Sequence, residues 1–144
     1  MEIVKQILEK KGTQVWSINP DATIYEALNL MAEKEVGALL VLKGEKLEGI
    51  FSERDYARKV VLKGKSSRET TIKEVMSTNL ICVDPQQSIE ECMALMIDKR
   101  IRHLPVIEND KLAGLISIGD VVKVVIGEKK FMIDQLIHYI TGDR

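Results

Sequence analysis

Apolar residues along the 144-residue chain recur with two periods, and each switch between them marks an element. Residues 1–11 set Ile3, Val4, Ile7 and Leu8 on one side and Lys5, Glu9 and Lys10 elsewhere, which predicts a short amphipathic helix ended by Gly12. A strand over 14–18 stops at Asn19-Pro20-Asp21. Thr23-Ile24-Tyr25-Glu26 has the form of a capping box, and Ile24, Ala27, Leu28 and Met31 follow at helical spacing. The apolar runs 38–42 and 47–52 flank Gly44-Glu45-Lys46 as a hairpin, and a helix over 53–62 completes a β-α-β-β-α unit. The polar stretch 63–70 is a linker, and Thr71-Ile72-Lys73-Glu74 caps one turn of helix ending near Met76. The same order then returns. A strand over 80–83 stops at Asp84-Pro85, and Ser88-Ile89-Glu90-Glu91 caps a helix carrying Ile89, Cys92, Met93 and Met96. Strands over 103–107 and 112–117 flank Asn109-Asp110, and a helix over 118–126 follows. After Gly127 a separate tail helix carries Ile133, Leu136, Ile137 and Ile140 on one face, fit to pack on the chain's own core or on a partner.

The return is an internal duplication with an offset of 65 residues. It pairs Pro20 with Pro85, Ile24 with Ile89, Met31 with Met96, Leu39 with Leu104 and Val41 with Val106, without a gap between Val15 and Ile126. Gly49-Ile50-Phe51-Ser52-Glu53-Arg54-Asp55 is echoed by Gly114-Leu115-Ile116-Ser117-Ile118-Gly119-Asp120. The expected organisation is an N-terminal helix 1–12, a first repeat 13–63, a linker 64–72, a second repeat 73–127 and a C-terminal helix 128–144. A unit of roughly 50 residues is marginal alone, so the two copies are expected to share a core.

In each motif a short buried strand hands over to a helix N-terminus, where unspent backbone N–H groups favour an anion. A hydroxyl for a phosphate and a carboxylate for a ribose would complete a nucleotide grip. The plainer alternative is that each S-x-x-D only caps its helix. Arg54 and Arg58 lie four apart on the first motif's helix, where forked guanidinium donors suit phosphate; a solvated face paired with Glu53 and Asp55 is the other reading. The second copy has Gly119 and Lys123 there, and instead carries Arg100, Arg102 and His103 before its second strand. If a pseudo-two-fold brings the copies together, Arg102 and His103 would complete a phosphate site begun by Ser52 and Arg54.

Composition narrows the field. The net charge of −1, from 21 basic and 22 acidic residues, leaves no general footprint for nucleic acid or an anionic membrane. No apolar run approaches the roughly 20 residues of a membrane span, and no secretory signal opens the chain. Cys82 and Cys92 lack metal-ligand spacing, so a cytoplasmic location with reduced thiols and no metal is expected, Cys92 and the Met31, Met93 and Met96 positions being core. No G-x-S-x-G, P-loop or H-E-x-x-H is present, and the only histidines are His103 and His138. A catalytic residue or catalytic cofactor is therefore not expected.

The tandem β-α-β-β-α units, each closing on G-h-h-S-x-x-D, resemble a pair of cystathionine-β-synthase (CBS) domains. Ser52-Glu53-Arg54-Asp55-Tyr56-Ala57-Arg58 and Arg102-His103-Leu104-Pro105-Val106 resemble the stand-alone bacterial members, over about residues 13–127. The resemblance implies an α+β fold, two repeats packed about a pseudo-two-fold axis with extra N- and C-terminal helices, and two clefts that bind AMP, ADP, ATP, S-adenosylmethionine or NADH-type dinucleotides. It implies a homodimer and a regulated partner protein. Carried over by motif, Asp55 and Asp120 would meet ribose. Ser52 and Ser117 would hold phosphate, with Arg54, Arg58, Arg102 and His103 neutralising its charge. Adenine would lie around Thr13, Val15, Trp16, Gly37 and Ala38 in one cleft, and around Ile81, Leu104 and Pro105 in the other. Ile118-Gly119 departs from Glu53-Arg54, which argues against full occupancy of both clefts.

The expectation is a regulatory nucleotide sensor that signals by ligand-dependent conformational change. Its rivals are an interaction scaffold with empty clefts, in which Arg54 is dispensable, and a nucleotide hydrolase, which a product assay with ATP would reveal. DNA binding, marked by steep weakening with salt, fits the charge least.

Overall fold

The structure is a computed structural model and describes residues 2–141; Met1 and the last three positions of the expected tail helix, 142–144, lie outside the described residues. The chain divides into two compact units, one continuous over Gln14–Ile81 and one assembled from residues up to Thr13 together with those from Cys82 onward.

In the continuous unit, β1 (Ser17–Ile18) pairs in parallel with β2 (Ala38–Lys43), which pairs antiparallel with β3 (Lys46–Ser52). The helix α2 (Ile24–Lys34) is capped by Thr23, whose hydroxyl accepts the Glu26 N–H, and it ends at Glu35 in a left-handed conformation. Ile24, Ala27 and Met31 from α2 meet Leu39, Val41 and Phe51 from the sheet in one buried cluster. After β3 comes α3 (Glu53–Asp55), which widens into a π-helical stretch at Tyr56–Val61, and then the short α4 (Ile72–Val75). Thr71 bridges Thr23, and Ser77 bridges Ile50 on the outer edge of β3. That bridge is possible because position 49 is glycine: a Cβ there would stand 2.8 Å from both the Met76 sulfur and the Ser77 carbonyl oxygen.

The second unit repeats this plan with pieces from both ends of the chain. Its helix α5 (Ile89–Lys99) is capped by Ser88, and β4 (His103–Glu108) pairs antiparallel with β5 (Lys111–Ser117). Both hairpins carry a register shift at the same place, between Val41 and Leu42 and between Val106 and Ile107. The N-terminal helix α1 (Val4–Lys11) stands where α4 stands in the other unit. Ile3 bridges Ser88, and α1 packs on β5, with Leu8 over Gly114. Ile89, Cys92, Met96, Leu104, Val106 and Ile116 are buried here as their counterparts 65 positions earlier are buried in the first unit.

Two sequence expectations are corrected. The strand over 80–83 reduces to one bridge from Val83 to Val106. The reason is Pro105: in the first unit the Leu40 N–H donates to the Trp16 carbonyl, but proline at the matching position has no N–H to offer Ile81. The helix expected to stop at Gly127 does not stop. It runs on as α6 (Ile118–Thr141), because Gly127 lacks the left-handed φ of a helix-ending glycine. Among the described residues no helix is long and apolar enough to cross a membrane.

Candidate functional site

Each S-x-x-D motif forms a reciprocal cap. The Asp55 N–H donates to Ser52 Oγ at 3.2 Å, and the Ser52 N–H donates to Asp55 Oδ2 at 3.0 Å. In the second unit the Asp120 N–H donates to Ser117 Oγ at 3.2 Å, and the Ser117 N–H to Asp120 Oδ2 at 2.8 Å. The first helical N–H of each is also spent, from Glu53 to the Gly37 carbonyl and from Ile118 to the Arg102 carbonyl. Strand register sets Ala38 opposite Ser52 and His103 opposite Ser117. Residues facing each other across an antiparallel pair project to the same side, so His103 shares a face with Ser117.

Beyond the caps the two motifs differ. Asp55 is closed on all sides: Oδ2 also accepts the Ser52 hydroxyl at 3.0 Å, while Oδ1 accepts Ser77 Oγ at 2.9 Å and pairs with Lys59 Nζ at 3.2 Å. Lys59 is anchored in turn on the Val75 carbonyl at 3.1 Å. Asp120 has no counterpart of Ser77. It meets Lys11 Nζ at 2.7 Å, from the last turn of α1, and Lys11 also donates to the Leu115 carbonyl at 3.0 Å. The Asp120 side chain is 19% exposed against 11% for Asp55.

Electrostatics in the second unit follow from these contacts. Burial would raise the Asp120 carboxyl, but the hydrogen bonds from Lys11 and Ser117 outweigh it and hold the group below its ordinary value. Burial lowers the His103 pKa, and Lys11 and Arg102 push it the same way against the pull of Asp120. The free imidazole is therefore biased toward a neutral donor–acceptor. Burial, with Glu91 and Asp84 nearby, pushes the Cys92 thiol up to about 11, which fits a core cysteine.

The remaining candidates are scattered. Arg54 and Arg58 are exposed and, among the described residues, in no ion pair; the cation that meets Asp55 is Lys59. The wide π turn replaces the α-helical spacing on which their pairing was predicated. Arg102 is exposed beside His103, and both share a unit with Ser117 and Asp120. Thr13 and Gly37 are exposed, and Val15 and Ile81 are half-buried. Trp16 packs on the first unit's core with Lys34 Nζ 4.4 Å from its ring centroid. Ala38, Leu104 and Pro105 are buried in their own units, so they offer backbone rather than side chain. A groove of about 540 Å³ in the first unit takes in Gly37, Leu28 and Met31, but its charged lining is Glu35 and Glu53, which repels an anion. Among the described residues no group of three or more His, Cys, Asp or Glu is arranged to hold a metal.

Sequence reasoning missed Lys59, Ser77 and Lys11. Lys59 was legible four residues after Asp55. Ser77 and Lys11 reach their carboxylates from 22 and 109 residues away and leave no local signal.

The duplicated unit, its paired hairpins and its two S-x-x-D caps define a tandem domain pair. The CBS domain family matches the chain twice, over residues 4–62 and 72–127, and the chain belongs to that family. The matched ranges include α1 and α4, which take equivalent places in the two units. The chain is similar to the CBS domain-containing protein CBSX3, mitochondrial, of Arabidopsis thaliana, at 42% identity over 136 residues; the match covers 91% of this chain and 66% of that protein. It is similar in structure to a CBS-domain protein from Burkholderia ambifaria MC40-6, at 50% identity and a TM-score of 0.85, covering 88% of this chain and 95% of that one. It shares its fold with the CBS domain pair of protein MJ0100, solved in complex with 5'-methylthioadenosine and S-adenosyl-L-methionine (22% identity, TM-score 0.78, covering 89% and 98%).

Proposed function

We propose that the chain is a regulatory module that binds an adenine nucleotide, without transforming it, and signals occupancy to a partner protein. The observation that carries this reading is the second motif. Asp120 is partly open at the start of α6, opposite-strand His103 shares its face, and Lys11 and Arg102 lie close enough to act on His103. Asp120 would accept ribose hydroxyls there, while Ser117, Arg102 and His103 would meet phosphate. Leu104 and Pro105 would offer adenine their backbone. The first motif is a second, conditional site: Arg54 and Arg58 are available to phosphate, but Asp55 must first leave Ser77 and Lys59, and the Ser52 hydroxyl must leave Asp55. Two unpaired cysteines, one exposed and one buried, suit a reducing compartment such as the cytoplasm.

A thermal-shift panel of AMP, ADP, ATP, NAD, NADH and S-adenosylmethionine on wild type and Asp120→Asn tests the reading. Ligand at about 100 times its Kd adds about 2.7 kcal/mol to folded-state stability, a rise of several degrees that Asp120→Asn abolishes. No shift with any compound at millimolar concentration transfers the case to the interaction scaffold, which the closed state of Asp55 already favours for the first repeat.

The proposed homodimer has a surface to use. On α6, Val122, Ile126, Lys129, Ile133, Leu136 and Ile140 follow one another at the alternating spacing of a coiled-coil seam. Ile126, Ile133, Leu136 and Ile140 are 56–78% exposed, although side chains of this kind are ordinarily buried. With Val122 and Ile137 they present on the order of 600 Å² per copy, against about 800 Å² for a standard interface partner. A second copy is the occupant that fits, since antiparallel pairing of Val122 with Ile140 sets Lys129 beside Ile133 and avoids stacking like charges. Ile133→Glu with Leu136→Glu should convert a dimeric mass in analytical ultracentrifugation to a monomeric one, and a monomeric wild type at high concentration would refute it.

A further inference from the structure

We infer that Lys11, on a helix outside the stretch that the duplication aligns, selects a phosphorylated ligand at the second motif. This rests on the nucleotide reading above and deepens it. The second copy has Gly119 where the first has Arg54, so its own helix brings no side-chain cation to the start of the motif. The structure supplies one from elsewhere. Lys11 ends α1, and Gly12, at φ 91°, turns the chain away immediately after it. The position of α1 is over-determined by the Ile3–Ser88 bridge, by the Val4 and Lys5 N–H groups bonded to the Gln87 and Pro85 carbonyls, and by Leu8 seated on Gly114. The Lys11 ammonium is thereby delivered to Asp120 at 2.7 Å and to the Leu115 carbonyl at 3.0 Å.

Among the described residues this ammonium has one anionic partner, Asp120, and its side chain is 36% exposed. Lysine offers three donors on a rotatable head, so contact with Asp120 leaves a donor for an arriving anion. When ribose hydroxyls engage Asp120, the charge of Lys11 is turned toward the 5' substituent of the ligand. His103, biased to its neutral form by burial and by Lys11 itself, contributes a hydrogen bond rather than a fixed charge. Lys11 and Arg102 are then the permanent cations of the site. They favour an adenosine phosphate over uncharged adenosine, and disfavour the cationic sulfonium of S-adenosylmethionine. In the first unit the corresponding lysine, Lys59, is tied to Val75 and Ser77 as well as Asp55, and is not delivered in this way.

The test is calorimetric titration of the full chain with AMP, adenosine and S-adenosylmethionine, using wild type, Lys11→Met and Lys11→Arg. Wild type should prefer AMP to adenosine by about tenfold or more, the scale of one charge-assisted contact. Lys11→Met should lose most of that ratio while its adenosine affinity stays within about twofold, and Lys11→Arg should restore the ratio. An AMP-to-adenosine ratio unchanged in Lys11→Met, or equal loss of both ligands, overturns the inference but leaves nucleotide binding intact. Wild type that binds none of the three overturns both.

Discussion

The two S-x-x-D turns have the same local sequence logic and nearly the same cap geometry, yet one is sealed by its near neighbours in sequence and the other is met by a lysine from the far end of the chain. At Asp55 the sealing groups come from within 22 residues: Lys59 four positions on, and Ser77 in the segment that follows α4. At Asp120 the equivalent place is taken by α1, which delivers a single lysine and no hydroxyl. The motif with the richer basic sequence is therefore the more closed, and the motif with Ile118-Gly119 is the more open. Residue identity inside a motif does not decide accessibility; the element laid against its edge does.

The largest contrast should come from the two motif glycines. Gly49→Ala would put a Cβ 2.8 Å from a backbone oxygen, whereas Gly114→Ala would meet a Leu8 methyl at 2.7 Å, the far end of a flexible side chain. Overpacking of this kind costs about 1–3 kcal/mol. Gly49→Ala should fall at the upper end and Gly114→Ala at the lower, read from urea denaturation midpoints; equal costs would remove the distinction between the two edges.

The carboxylates come next. Asp55→Ala leaves Ser77 and Lys59 without their acceptor in a buried place and should cost about 2 kcal/mol, against about 1 kcal/mol for Asp120→Ala, where the freed Lys11 returns to water. The reverse order would show that the second turn is the structural one. The helices after the motifs offer a smaller test. The first widens at Tyr56 and ends at Val61, but α6 runs straight through Gly127, around which an added Cβ meets nothing within 4 Å. Gly127→Ala should stabilise by about 0.5–1 kcal/mol, whereas a helix broken at that residue would be destabilised.

The smallest effect is one of pH, and it belongs to the second unit alone, because Ala38 stands where His103 does. The folded-state pKa of His103 is lowered, by burial first and then by Lys11, so the unfolded chain binds its proton more readily. Its contribution is complete above the ordinary histidine value of about 6.5 and is lost as pH falls through the lower folded value. His103→Gln should flatten the decline in denaturation midpoint between pH 7.5 and pH 5.5, and Lys11→Met should flatten it in part. An identical decline in all three proteins would remove His103 as its source.

Much of this was legible from residue order. The 65-residue offset predicted that Ile24, Ala27 and Met31 would be matched in burial by Ile89, Cys92 and Met96, and each pair is buried. Capping boxes at Ser52, Thr71 and Ser88, and the one-sided Thr23 cap, each start a helix at the expected residue. The strand over 80–83 was misjudged because an apolar run reports burial, while a ladder also needs a donor on the neighbouring strand, and Pro105 has none. The break at Gly127 was misjudged because glycine permits a left-handed turn without requiring one.

By itself the sequence determined the duplication, the hairpins, the caps and the family, because these depend on short-range periodicity and on hydrogen bonds spanning three or four residues. Only the tertiary structure decided which end of the chain covers which sheet edge, and hence that Ser77 seals Asp55 while Lys11 attends Asp120. A contact made across 109 residues is set by how α1 packs on β5, and no local pattern around Lys11 or Asp120 encodes that meeting.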